Sequence, residues 1–280
     1  MEAAGFFINL DKSVKRRRAM EAELRKVGLA RTYRRFRAVD GRTLNMRGLG
    51  VSRGEAGCFL SHIGVLEAGR KAGRHFHVLE DDAVLSRGFA AHVNALVNGP
   101  LNAFDIVFTD MWVPLHDAFI GQLLSLHEAY LTAGAFNVLI GQYWAGSASY
   151  LVNSAAVDRL IDLLRQEAGS GMTLPLDLFL GKLAASGAVK VGCLFPFVSS
   201  IRISALLDST IVRPGDPVAE RVIADSPRAA FYVEADLKRI RADLDAVVVA
   251  DIRQSMDQMA ATRLLDRMLA RSGSDHSAIR

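Results

Sequence analysis

Cysteine occurs only twice in the 280 residues, at Cys58 and Cys193, and proline only seven times. Two thiols cannot build a disulfide framework, and their spacing fits no metal-binding pattern. A reducing compartment is expected, with both thiols packed as small hydrophobes. Few prolines in a chain that is 50% hydrophobic exclude a disordered tail and a collagen-like repeat. An unbroken apolar run of bilayer length is also missing. The longest stretch without charge or histidine, the 29 residues Ala129–Val157, is interrupted by Gly134, Asn137, Gly141 and Gly146 and reads as buried strands. At the N-terminus the apolar run Phe6-Phe7-Ile8 is very short and lies before the charges, so no secretory signal is expected.

Basic charge is in excess, and it is uneven. The net charge is +4, yet residues 1–53 hold 14 Lys and Arg against 5 Asp and Glu. That segment carries +9 and the remainder −5. Nucleic acid, a nucleotide diphosphate and anionic lipid all suit such a beginning.

Gly5–Leu10 reads as a buried strand, and Ser13 is placed to cap a helix reaching Val27, in which Met20, Leu24 and Val27 recur at helical spacing. Tyr33–Val39 alternates as a half-exposed strand that ends in the turn pair Asp40-Gly41. Ser52 and Glu55 have capping-box spacing and open a helix to about Lys71. Further strands over His75–Leu79, Phe104–Thr109, Ala148–Val152 and Val189–Phe195 alternate with helices over Gly88–Val97, Ser154–Glu167 and from Pro175 onward. Such alternation predicts an α/β chain with a largely parallel sheet. Beyond about Asp208 the pattern turns charged and helical. Amphipathic helices are expected over Phe231–Asp243 and Val247–Ala270, with a frayed end at Ser272–Arg280.

Glu80-Asp81-Asp82 is the strongest local signal, because it follows an apolar strand at the edge where open α/β sheets bind ligands. In extended backbone Glu80 and Asp82 point the same way and Asp81 faces elsewhere. Carboxylates so close need a cation, and hard oxygen ligands favour Mg²⁺ or Mn²⁺; a solvated acidic turn is the plainer reading. Lys15, Arg16, Arg17 and Arg18 follow Asn9, which suits phosphate and ribose contacts, although one helix cannot aim four consecutive side chains at one ligand. Cys58 and His62 share a helix face, as a thiol–imidazole pair or as core residues. Asp177, in the otherwise apolar run Leu174–Leu180, is either a general base or a first-turn carboxylate at a helix N-terminus.

In this order the segments resemble glycosyltransferase family 25, the lipopolysaccharide and lipooligosaccharide galactosyltransferases related to collagen-modifying galactosyltransferases. The resemblance is carried by Ile8-Asn9-Leu10-Asp11 with Arg16-Arg17, Ala38-Val39-Asp40-Gly41, Leu49 through His62, and Val78-Leu79-Glu80-Asp81-Asp82. Weaker matches lie at Ala148–Val152, Pro175-Leu176-Asp177 and Pro196, so that it spans about residues 5–210. Lys15 departs from the pattern, and so does 111–145, which is expected to hold acceptor contacts.

The resemblance implies a GT-A-like (Rossmann-like) nucleotide-sugar-binding fold over residues 1–210 and a helical C-terminal extension over 211–280. It implies an inverting hexosyltransferase that moves a sugar, galactose by expectation, from a UDP-sugar to a lipopolysaccharide or oligosaccharide acceptor. On that basis Glu80 and Asp82 hold Mn²⁺ or Mg²⁺. Asn9, Leu10, Arg16, Val39, Asp40, Ser61, His62 and Asp81 line the donor pocket, and Asp177 is the base. The expected location is the cytoplasm, with peripheral contact at the cytoplasmic face of the inner membrane, and a homodimer is compatible with the terminal helices. Two rival readings stand beside it: a metal-dependent phosphoesterase built on the same acids, and a nucleic-acid-binding protein using the basic segment. The second lacks a reading motif.

Overall fold

Apolar side chains fill both faces of nearly every strand in the central sheet, so that sheet must be covered on both sides. The computed structural model describes residues 4–141, 145–202, 218–247 and 252–274. Strand β1 (Ala4–Asn9) leads to helix α1 (Val14–Lys26), β2 (Tyr33–Arg37), α2 (Arg53–Arg70) and β3 (Phe76–Glu80). The short β4 (Ala83–Leu85) and α3 (Phe89–Val97) come next, then β5 (Ile106–Phe108), α4 (Asp117–Ala133), β6 (Asn137–Ile140) and β7 (Ser149–Val152). After α5 (Val157–Gly169), α6 (Leu176–Ala185), β8 (Val191–Phe195) and β9 (Ser199–Ile201), the helices α7 (Val218–Ala230), α8 (Leu237–Asp245) and α9 (Ile252–Ser274) follow.

The central sheet has the order β2-β1-β3-β7-β5-β8-β6. β1 pairs in parallel with β2 and β3, and β5 with β8; β7 runs antiparallel to β3 and β5, and β6 to β8. Five of the seven strands thus share one direction, as the alternation of elements predicts. A separate antiparallel pair, β4 with β9, buttresses the segment after Glu80. Successive strand residues enter different core layers. Ile8, Val78, Phe108 and Tyr150 pack with α2, α4, α5 and α6, while Phe7, Leu79, Val107 and Leu151 pack with α1 and α3.

Sequence chemistry explains the helix ends that matter. The Ser52 hydroxyl accepts from the Glu55 amide at 3.3 Å, and the Glu55 carboxylate accepts from the Ser52 amide at 2.7 Å, so the expected capping box opens α2. Ser13 differs from expectation. It stands at the N-cap of α1 without a side-chain capping bond, and its carbonyl accepts from Asn9 Nδ2 at 3.2 Å.

Two other expectations are corrected. The uncharged stretch 129–157 is not all buried strand: its first residues close α4, and in β6 Ile140 is 74% exposed. α4 buries Phe119, Ile120, Leu123 and Leu124 at helical spacing, a pattern that the absence of charge farther along obscures. At the other end, α7 falls within the charged helical stretch expected beyond Asp208, while 231–236, expected to open a helix, forms a turn with Phe231 and Tyr232 buried before Asp236 caps α8 by accepting from the Arg239 amide. Phe231 is fully buried and its ring lies 5.2 Å from that of Phe195, so an apolar residue taken for a helix face is a turn plug. The helix expected over 247–270 starts at Ile252 and continues to Ser274; residues 248–251 and 275–280 and the expected domain division at 210/211 lie outside the described residues.

His77 is fully buried in β3, within 2.9 Å of the Tyr33 hydroxyl and 3.2 Å of the Ser149 hydroxyl, with its ring against Phe89. Burial lowers its pKa to about 3, against about 6.5 in an unfolded chain. Between those values the unfolded state binds the extra proton, so stability is lost as pH falls from about 6.5 toward about 3, by roughly 4–5 kcal/mol for this group. Urea midpoints measured across that window should drop less steeply in His77→Gln than in the wild type; equal slopes would remove His77 as the cause.

Candidate active site

Three strands of one direction end beside one another at the same edge, which gathers Asn9 from β1, the Ala38–Asp40 segment after β2 and Glu80-Asp81-Asp82 from β3. β1 is the switch point: the chain leaves it for β2 on one side and β3 lies on the other, an arrangement that opens a crevice at the carboxyl edge. The crevice is a cavity of about 280 Å³. Asn9, Leu10, Arg16, Val39, Asp40, Ser61, His62, Glu80, Asp81 and Asp82 all line it.

The loop after β2 lies on α2 with almost no clearance. A Cβ on Gly57 would stand 2.8 Å from both the Gly41 nitrogen and the Val39 carbonyl, and one on Gly41 would collide with the Arg53 carbonyl. Ser61 completes the fastening: its hydroxyl donates to the Gly57 carbonyl at 2.6 Å and accepts from the Val39 amide at 2.8 Å. Gly57→Ala is therefore expected to destabilise the fold by about 1–3 kcal/mol in chemical denaturation; a neutral result would show that the loop yields freely.

Asp81 does not face away from the site. Asn9 Nδ2 donates to it at 2.5 Å, and Arg16 Nη2 reaches Asp81 and Asp82 at 2.6 Å each. The chain turns after Glu80, so extended-strand alternation no longer applies there. Burial and the neighbouring Glu80 push the Asp82 carboxyl up, and burial raises Asp81 against the pull of Arg16. Burial would raise Glu80 too, but His62, the Ser147 hydroxyl and Arg16 outweigh it and hold its carboxyl below the ordinary range. Asp82 Oδ1 is buried and has no hydrogen-bond partner among the described residues.

The basic N-terminal segment divides its charge. Lys12, Arg16, Arg42 and Arg53 line the cavity. Lys12 and Arg42 pair with Asp40 at 3.2 and 2.7 Å and hold its carboxyl well down. Arg35 and Arg37 pair instead with Asp11, and Arg31 and Arg34 lie with Lys71 and Arg74 in a cleft at the amino ends of β1 and β2.

Asp177 lies in a second cavity of about 390 Å³, which shares Cys58, Glu80 and Asp82 with the first. Both sequence readings of this residue meet in its geometry. Its carboxylate accepts from the Leu178 amide at 2.9 Å in the first turn of α6, and it also lines the cavity. Burial raises its pKa although backbone amides of Leu178 and Gly146 oppose the rise. No described residue of 111–141 lines either cavity; the far wall of the second comes from α7, with Arg221, Asp225 and Arg228.

Asp110 and Arg228 are not among the sequence candidates. Arg228 Nε donates to Asp110 Oδ2 at 2.9 Å and a second bond joins the same two side chains, both buried. Asp110 could have been found, since it follows β5 as Asp82 follows β3; nothing marks Arg228 within its helix. A third omission is the partner of Cys58 and His62: Glu80, from another element, lies with both. Burial and the surrounding acids raise the Cys58 thiol well above its ordinary value.

Among the described residues no helix is long and apolar enough to cross a membrane. No curated protein matches the chain. The family model of glycosyltransferase family 25, described as an LPS biosynthesis protein, matches residues 3–180, and the chain belongs to that family. It is accordingly a glycosyltransferase of lipopolysaccharide biosynthesis, which takes a sugar donor and a saccharide acceptor.

Proposed function

We propose that this glycosyltransferase has a GT-A-like fold and moves a hexose, galactose as the leading candidate, from a UDP-sugar to a saccharide acceptor with inversion at the anomeric carbon. The observation that carries the reading is the meeting of two cavities at Glu80 and Asp82, one edged by cations and the other holding Asp177. The first suits a nucleotide diphosphate and the second an acceptor sugar.

A divalent cation fits this donor set. The orphaned, buried Asp82 Oδ1 and the Glu80 carboxylate are hard oxygen donors bordering both cavities. Glu80 and Asp82 would hold Mn²⁺ or Mg²⁺, which supplies positive charge to the diphosphate that departs. Arg16, anchored by Asp81 and Asp82, presents a second positive charge to the same place. Asn9 fixes the Asp81 carboxylate, Ser61 fixes Val39, and Asp40 holds Lys12 and Arg42 along the nucleotide wall. Leu10 and His62 complete that wall.

In the transfer, the bond from the anomeric carbon to the UDP oxygen breaks while the acceptor oxygen bonds to the opposite face. Asp177 takes the acceptor hydroxyl's proton. Its raised pKa brings the carboxylate nearer to a useful proton affinity at neutral pH. The decisive experiment offers a panel of nucleotide sugars with lipopolysaccharide-core oligosaccharides and Mn²⁺, and looks for a new glycosidic bond by mass spectrometry and NMR. An inverted glycoside from UDP-galactose is expected. Phosphate-ester cleavage with no glycoside from any donor would favour a phosphoesterase and overturn the proposal.

A further inference from the structure

Cys58 and Glu80 line both cavities and His62 lines the first, and each offers a ligand atom within 4.8 Å of the others. His62 is 1% exposed. Its Nδ1 lies 2.7 Å from the Tyr150 hydroxyl, and its Nε2 has no hydrogen-bond partner among the described residues. That nitrogen lies 3.5 Å from Glu80 Oε1. Zn²⁺ bonds of about 2.0–2.2 Å to nitrogen and oxygen put two such ligands roughly 3.3–3.5 Å apart on a tetrahedron, so the pair is already spaced for a shared ion. Cys58 is one turn before His62 on the same face of α2 and needs only side-chain adjustment to close the set.

We propose that Cys58, His62 and Glu80 form a site for a soft divalent cation of the Zn²⁺ class, separate in chemistry from the all-oxygen site of Glu80 and Asp82. Thiolate and imidazole select Zn²⁺ over Mg²⁺ and Mn²⁺, which prefer oxygen. The outer contacts are those a zinc ligand set requires. The Tyr150 hydroxyl holds the far nitrogen of His62 and so orients the ring, and the Ser147 hydroxyl donates to Glu80 at 2.8 Å. Binding replaces the thiol proton by the ion, and one proton leaves to solvent. Three protein ligands leave a fourth position open toward the cavities. Because Glu80 belongs to both sets, a bound Zn²⁺ takes it from the oxygen site and stands between donor and acceptor. This inhibitory consequence rests on the proposed function; the binding does not.

Cobalt is the probe. Titrating the full chain with Co²⁺ should give a thiolate-to-cobalt charge-transfer band in the near ultraviolet that saturates at one equivalent and is abolished by Zn²⁺. The band should vanish in Cys58→Ser, weaken at least about tenfold in apparent affinity in His62→Gln and persist in Asp82→Asn. Cys193 is wholly buried in β8 and lines neither cavity, so it does not substitute. Absence of the band in the wild type, or its survival in a folded Cys58→Ser variant, overturns the site; should that variant not fold, the wild-type titration alone decides. Transfer assays then read the consequence: Zn²⁺ should inhibit the wild type at concentrations at least about tenfold below those needed for Cys58→Ser. Equal inhibition overturns the competition, and a chain that transfers no sugar but still shows the band overturns only the function.

Discussion

Asp177→Asn should lower kcat for sugar transfer by about 10²–10⁴-fold, the usual worth of a positioned general base, and leave donor binding unchanged. Asparagine keeps a side-chain oxygen for the Leu178 amide, so the first turn of α6 retains its bond. The loss is confined to proton acceptance. The cavity geometry separates this effect from one on the donor: Asp177 borders the second cavity and not the first. Steady-state kinetics and titration with UDP-sugar check both halves. Transfer at the wild-type rate would remove Asp177 from the mechanism and leave its carboxylate a helix-terminal group.

Asp82→Ala should abolish the stimulation of donor binding by Mn²⁺ and reduce kcat/KM by roughly 10²–10⁴-fold, since the charge stabilisation at stake is several kcal/mol and each 1.36 kcal/mol is tenfold. Two consequences of the substitution oppose one another. The buried oxygen that has no partner disappears, which costs the apo fold little or even relieves it. Arg16, however, loses one of two carboxylates and keeps Asp81. Its charge is then less neutralised, so some metal-independent attraction for a diphosphate should remain. Calorimetry with UDP, with and without Mn²⁺, reads the difference; equal stimulation in variant and wild type would place the cation elsewhere.

The candidate site was legible where chemistry coincides with a strong local pattern. Glu80 to Asp82 stand out because five strand residues before them leave no room for acid, and strand ends are where α/β sheets meet ligands. The turn at Asp40 and the helix face of His62 were legible from spacing, whereas the donor-pocket roles of Val39, Asp40, Ser61 and His62 came from the ordered resemblance. The structure supplies the reason for those residues: two glycines without clearance and one hydroxyl that joins loop to helix. The orientation of Asp81 was not legible, because alternation holds only while the backbone stays extended. Nor was the Asp110–Arg228 pair, whose members are 118 positions apart, a separation no periodicity reports. α4 was lost for a related reason: its apolar stripe adjoins a long uncharged run that pulls the eye toward strands.

That buried pair bears on how such enzymes can be recombined. The matched family region ends at residue 180, yet the counter-charge for Asp110 arrives from position 228, and the same helix walls the cavity beside Asp177. Grafting the tail of another transferase onto this sheet would strand a carboxylate in the interior unless the donor tail brought its own guanidinium to that spot, at a cost of about 3–5 kcal/mol. The tail's exposed positions can be changed without touching this pair, while position 228 stays tethered to a strand end far upstream.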